Sequence, residues 1–123
     1  MGCVGSSPAK GGDRAFEARA RVVRAQPWVD PDGAMSYREL ESKRDVFWET
    51  QPAYGGDKMV WDQIRGACAL YLDPEADLEL IETILDSAGI QIASTASFTT
   101  FYDERGFRYV VPMYCTLTPT NVT

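Results

Sequence analysis

The chain has 123 residues, 45% of them apolar, and a formal net charge of −6, which suits one domain with a modest core and excludes wholesale disorder. It contains no histidine, and its three cysteines (Cys3, Cys68, Cys115) are odd in number and widely spaced. Ser-His and Cys-His nucleophile pairs and most zinc hydrolases are thereby excluded, and neither a metal site nor a disulfide framework is expected.

Met1-Gly2-Cys3-Val4-Gly5-Ser6 fits the N-myristoylation pattern, in which a free glycine amine is followed by small residues and a serine. Cys3 beside Gly2 is a candidate for palmitoylation. One myristoyl chain holds a membrane only marginally, with a partition constant on the order of 10⁴ M⁻¹. A second chain, or basic residues at roughly 1 kcal/mol each near an anionic surface, makes the attachment stable. Residues 1–27 supply such bases: Lys10, Arg14, Arg19, Arg21 and Arg24 outnumber Asp13 and Glu17, which leaves the acidic excess on residues 28–123. No apolar run approaches the ~18 residues of a membrane-spanning helix. The start also lacks the apolar core of a secretory signal. The expected location is cytoplasmic, peripheral to the plasma membrane or an endomembrane when acylated.

Ser7 to Gly12 reads as a flexible spacer. From Arg14 to Arg24 the spacing of Phe16, Ala20 and Val23 suggests a weak amphipathic helix. It is either a membrane-surface segment or a solvated arm. Pro27 ends it, and Trp28 is expected to tether the arm to a domain over residues 28–123. Asp30-Pro31-Asp32-Gly33 is turn chemistry.

Ser36-Tyr37-Arg38-Glu39 forms a capping box, and the first helix should run to about Thr50, with Tyr37, Leu40, Phe47 and Trp48 on one face. Arg44 lies among them, either with its stem on apolar surface and its head in water or paired with an acidic loop. Pro52, Gly55 and Gly56 stop that helix, and Asp57 caps the next. Phe47, Trp48, Pro52, Tyr54 and Trp61 should form a helix–turn–helix corner. The second helix, about Lys58 to Leu72, places Val60, Trp61, Ile64, Ala67, Cys68 and Tyr71 on a core face. Cys68 there is a buried small hydrophobe.

Asp73-Pro74 is expected to start the third helix, with aspartate as cap and proline in the first turn. Leu78, Ile81, Leu85 and Ala88 are its core face, widened by Leu80 and Ile84, and Gly89 is its left-handed stop. Glu75, Glu79, Glu82 and Asp86 make an acidic stripe along it, and no Lys or Arg occurs between Arg65 and Arg105. The stripe is either a solvated face or a docking surface for a basic partner. Phe98–Tyr102 and Phe107–Val111 flank Asp103-Glu104-Arg105-Gly106, a hairpin with a bulge at Gly106. Two strands alone are marginal, so the hairpin must pack on the helices. Thr116 to Thr123 reads as a polar tail. The fold class expected is mainly α with a small β-hairpin, on a three-helix core.

Phe47-Trp48-Glu49-Thr50 with Pro52, Tyr54, Gly55-Gly56, Lys58 and Trp61-Asp62, then Ile84 to Ile90, then Tyr102 to Gly106 with Tyr109, Pro112 and Tyr114, resemble the N-terminal domain of the ubiquitin-domain-containing protein family, also called dendritic-cell-derived ubiquitin-like proteins. The likeness covers roughly residues 28–123, with Leu72 to Asp77 more acidic and slightly extended. It implies a helical module with a hairpin, no catalysis and no cofactor, which binds a ubiquitin-conjugating enzyme. Animal members continue into a ubiquitin-like domain. This chain ends where the module ends, which resembles the short members of plants; a piece cut from a longer protein is the alternative.

These readings combine into a non-catalytic adaptor, monomeric, that brings a ubiquitin-conjugating enzyme to an anionic membrane. Glu75, Glu79, Glu82 and Asp86, with Asp103 and Glu104, are its expected docking residues. The acidic body argues against nucleic acid. The alternative is a membrane-peripheral scaffold whose acids serve solubility. An enzyme ranks below both, since no phosphate loop, histidine or metal cluster accompanies the carboxylates.

Overall fold

The structure, a computed structural model, describes residues 21–94 and 97–123. Three helices, α1 (Tyr37–Thr50), α2 (Lys58–Tyr71) and α3 (Leu78–Ser87), are followed by strands β1 (Gln91–Ser94), β2 (Ser97–Tyr102) and β3 (Arg108–Val110). The strands form one antiparallel sheet in the order β1-β2-β3, with Phe101 opposite both Ile92 and Tyr109. The fold is α+β and mostly helical, as expected, but the sheet has a strand more than a hairpin. Gln91-Ile92-Ala93 carries too little β signal to stand out, and pairing with β2 is what extends it.

The helix ends follow their local chemistry. At α1, the Ser36 hydroxyl accepts from the Glu39 amide at 3.1 Å, and the Glu39 carboxylate accepts from the Ser36 amide at 2.9 Å. Asp57 caps α2 through the Met59 amide. At the end of α3, Gly89 sits at φ 73°, with its amide on the Asp86 carbonyl and that of Ile90 on the Leu85 carbonyl. This is the paired closing bond of a left-handed cap.

One boundary differs from expectation. Asp73 does cap, but it caps a turn: its carboxylate takes the Glu75 amide and its carbonyl the Ala76 amide. Asp77 is the cap of α3, with its carboxylate accepting from Glu79 and Leu80. Of two caps four residues apart, the second wins because it immediately precedes Leu78, Ile81 and Leu85, where burial begins. Leu80, expected to widen the core face, is largely exposed, and so is Tyr37 at the open end of α1.

The core joins Trp61, Ile64, Ala67, Cys68 and Tyr71 of α2, Ile81 and Leu85 of α3, and Ile92, Phe98, Phe101 and Tyr109 of the sheet. Phe47, Trp48, Trp61 and Tyr109 meet edge to face, at centroid distances from 4.9 Å for Trp61–Tyr109 to 6.4 Å for Trp48–Trp61. Such contacts add to simple burial. Pro52 lies in a 3₁₀ turn, Gln51–Tyr54, that makes the link. Tyr54 does not join the corner: it is 82% exposed.

Residues 21–27 have no regular secondary structure, so Arg21 to Arg24 are not helical; the earlier part of that segment lies outside the described residues. This stretch packs on the body. Val22 is buried in the core, the Tyr71 hydroxyl donates to the Val23 carbonyl, and the Arg24 guanidinium bonds the carbonyls of Tyr71 and Asp73. Trp28 docks as anticipated, donating from Nε1 to the Leu117 carbonyl at 2.9 Å.

The residues read as a polar tail are packed too. The Thr120 amide donates to the Trp28 carbonyl, Asn121 bonds Asp30 through both ends of its amide, and Val122 bridges Met35. Polarity here also serves hydrogen bonds between distant segments of the chain. Arg44 belongs to the same arrangement. It is buried rather than holding its head in solvent, and it donates to the Tyr114 carbonyl at 2.6 Å and the Thr118 hydroxyl at 3.1 Å rather than to an acidic loop. Arg44→Leu therefore leaves a part-buried carbonyl without its donor. It should cost about 2 kcal/mol, read as a lower urea midpoint at unchanged slope.

Candidate functional site

The tip of the β2–β3 hairpin is built by Asp103. Its backbone amide donates to the Phe107 carbonyl, and its carbonyl accepts from Gly106, which sits at φ 85°. Its Oδ1 accepts from the amides of Arg105 and Phe107. This is a type I turn closed by a glycine bulge. Oδ2 is also engaged, accepting from the Tyr109 hydroxyl at 2.8 Å, while that hydroxyl accepts from the Asp57 amide at 2.9 Å. One phenol thus joins the hairpin tip to the cap of α2.

This wiring sets two ionisations. Desolvation opposes the charge on Asp103, but the hydrogen bonds from Tyr109, Phe107 and Arg105, with the Arg105 charge, outweigh it and hold the carboxyl below its ordinary value. Tyr109 is pushed up, first by desolvation and then by the two aspartates, against the opposing Asp57 bond.

The tip leans against the end of α3. Glu104 lies over Gly89 so closely that a Cβ there would meet its side chain at 2.6 Å. Glycine is favoured at this position by its positive φ, while the exposed Glu104 side chain can swing aside from a Cβ. Between them is a cleft of about 290 Å³ lined by Asp86, Gly89, Gln91, Asp103 and Glu104. Three of the six expected docking residues, distant in sequence, converge here. The others do not. Glu75 is in the turn before α3, Glu79 is in the first helical turn, and Glu82 is taken by the arm. Its carboxylate accepts from the Val22 amide at 3.0 Å and pairs with Arg21 at 3.5 Å. The acidic row that no base offsets in the neighbouring sequence is met at Glu82 by Arg21, a base distant in the sequence. Gly2 and Cys3 lie outside the described residues.

The cleft can attract and orient cationic groups; no cluster able to hold a metal occurs among the described residues. The two described thiols are not poised to react. Burial, and then the neighbouring thiol, pushes Cys68 well up, and burial pushes Cys115 up to about 12 against the pull of Arg44 and Lys43.

Residues 18–123 match the family model described as a ubiquitin-binding domain. The chain belongs to this family. It is 36% identical to ubiquitin domain-containing protein 1 of Danio rerio over 128 residues, covering 98% of this chain and 55% of that protein. It is 35% identical to ubiquitin domain-containing protein 2 of the same fish over 130 residues, covering 98% and 53%. The human ubiquitin domain-containing protein 1 is 35% identical over 127 residues, covering 98% and 54%. The chain thus spans about half the length of these relatives. It is a ubiquitin-system-related protein, and its family's description is that of a binding domain. Among the described residues no helix is long and apolar enough to cross a membrane.

The sign of the pH response follows from Asp103. A carboxyl lowered in the folded state contributes stability above its unfolded value, and that contribution is lost as pH falls through the folded one. The raised Tyr109 contributes below its unfolded value, and this is lost as pH rises through the folded one. Asp103→Asn should therefore destabilise the domain near neutrality. The gap to wild type should narrow as pH drops below about 4, as followed by urea midpoints across pH.

Proposed function

We propose that this domain is a non-catalytic adaptor that docks a ubiquitin-conjugating enzyme on the cleft of Asp86, Asp103 and Glu104. An N-terminus acylated at Gly2 and Cys3 carries the pair to a membrane. The supporting observation is the convergence of three carboxylates from a helix end and a hairpin tip in a body with a large acidic excess. Such a surface speeds encounter with a basic partner and sets its orientation. Family membership supports a partner from the ubiquitin system. The stretch ahead of the packed residues serves as anchor, and the body from Arg21 onward as the docking unit.

The test is an NMR titration of the labelled full chain with a panel of ubiquitin-conjugating enzymes and with ubiquitin. Saturable shifts from a conjugating enzyme around Asp86, Gly89 and Glu104 are expected. A second reading, that the cleft takes ubiquitin itself, is favoured by the family's description as ubiquitin-binding, and shifts from ubiquitin alone would select it. Flat spectra from a folded domain would leave the scaffold reading.

Asp86→Lys with Glu104→Lys should weaken binding about tenfold, roughly 1.4 kcal/mol, and flatten its salt dependence with the fold intact. Glu82 is unsuitable for this purpose because its reversal would also release the arm. For the anchor, Gly2→Ala should move the protein from the membrane fraction to the soluble fraction. Equal partition of both proteins would remove the membrane from the account.

A further inference from the structure

Strand β3 is an edge of the sheet, with β2 on one side only. The amide of Val111 bonds the Thr99 carbonyl, and that of Asp103 bonds the Phe107 carbonyl. In an antiparallel ladder the hydrogen-bonding residues alternate, so Arg108 and Val110 direct their N–H and C=O groups away from β2. No other described element bonds them. Natural edges are usually blunted or covered; this one is short and carries one charge, Arg108, but its other neighbours are apolar. Tyr54 is 82% exposed, Val110 48% and Phe107 44%. With Gln51, Gly55, Trp61 and Arg108, these three line a groove of about 220 Å³ along the edge.

The charge at this edge is opposite to that of the acidic cleft. Both Asp103 oxygens and the Asp57 cap oxygen are engaged in hydrogen bonds, whereas the exposed Arg108 guanidinium has no partner among the described residues.

We propose that the open edge of β3 binds an extended segment of a partner protein as a fourth, antiparallel strand, with the pattern apolar–apolar–acidic. The first residue faces Val110 on the outer side of the sheet and exchanges two backbone bonds with it. The second, opposite Tyr109, drops its side chain into the groove beside Tyr54, Gly55 and Phe107. The third faces Arg108, exchanges two more backbone bonds and pairs its carboxylate with the guanidinium. Backbone bonds hold the strand and alternate side chains select it, as in strand addition generally. Cross-strand charge pairing favours the acid over a base at the third position. A second copy of this chain is the poorer occupant, since its own β3 would set another arginine and another acidic body against this one. The inference is independent of the acidic cleft, which takes a cationic surface.

The probe is the blocked heptapeptide acetyl-Thr-Thr-Val-Leu-Glu-Thr-Thr-amide, titrated into the labelled full chain. Saturable amide shifts at Arg108 to Val111, with slowed hydrogen exchange at Arg108 and Val110, are expected. Replacing the peptide's glutamate by lysine should weaken binding about tenfold, and methylating the backbone nitrogens of its valine and glutamate should abolish it. In the protein, Arg108→Glu should reverse the preference between the two peptides, with an unchanged near-ultraviolet spectrum showing the fold retained. Three results would overturn the proposal: no shifts, shifts indifferent to methylation (an apolar groove without strand addition), or self-association through the same amides on dilution series.

Discussion

Tyr109 stands where the two halves of the molecule meet. Its ring packs edge to face on Trp61 at 4.9 Å and against Gly56, where a Cβ would approach it to 2.6 Å. Its hydroxyl spans the Asp57 amide and the Asp103 carboxylate. The helical corner, the cap of α2 and the hairpin turn are thus positioned by one side chain. A buried polar network holds its geometry only when every member is satisfied, and here the phenol both donates and accepts. Pairing of β1 then follows from that of β2, and the acidic cleft from the lean of the hairpin on α3.

The two ends of the chain close the other side. Arg44 clasps the segment after the sheet, while Trp28 and Asp30 meet Thr120 and Asn121. Val22 completes the core. A chain this short buries a limited fraction of its surface, so segments without regular secondary structure contribute to stability through core contacts and backbone hydrogen bonds. This explains why a basic stretch that looks suited to a membrane surface is, from Arg21 onward, part of the folded body.

The outcome is a domain with two differently charged surface features. Carboxylates converge between α3 and the hairpin tip, and an arginine with apolar neighbours lies along β3. The Asp103 turn separates them, and its carboxylate, held ionised by the turn's hydrogen bonds, adds its charge to the cleft. Neither feature has the nucleophile or activated base of an enzyme site, and the described thiols are buried.

Local signals in the sequence determined most of the helical layout. The capping box at Ser36, the Asp57 cap, the Gly89 stop, the apolar period of α2 and the glycine bulge at Gly106 each depend on neighbours within a few residues. Motif resemblance identified the family for the same reason, since those residues keep their spacing along the chain. Tertiary structure alone decided between Asp73 and Asp77 as the cap of α3, because burial of Leu78 selects one. It alone drew β1 into the sheet, brought Arg21 to Glu82, and separated Glu75 and Glu79 from the cleft that unites Asp86 with Glu104. These are contacts between residues far apart in the chain, and a periodic pattern shows which face is buried without showing what it meets.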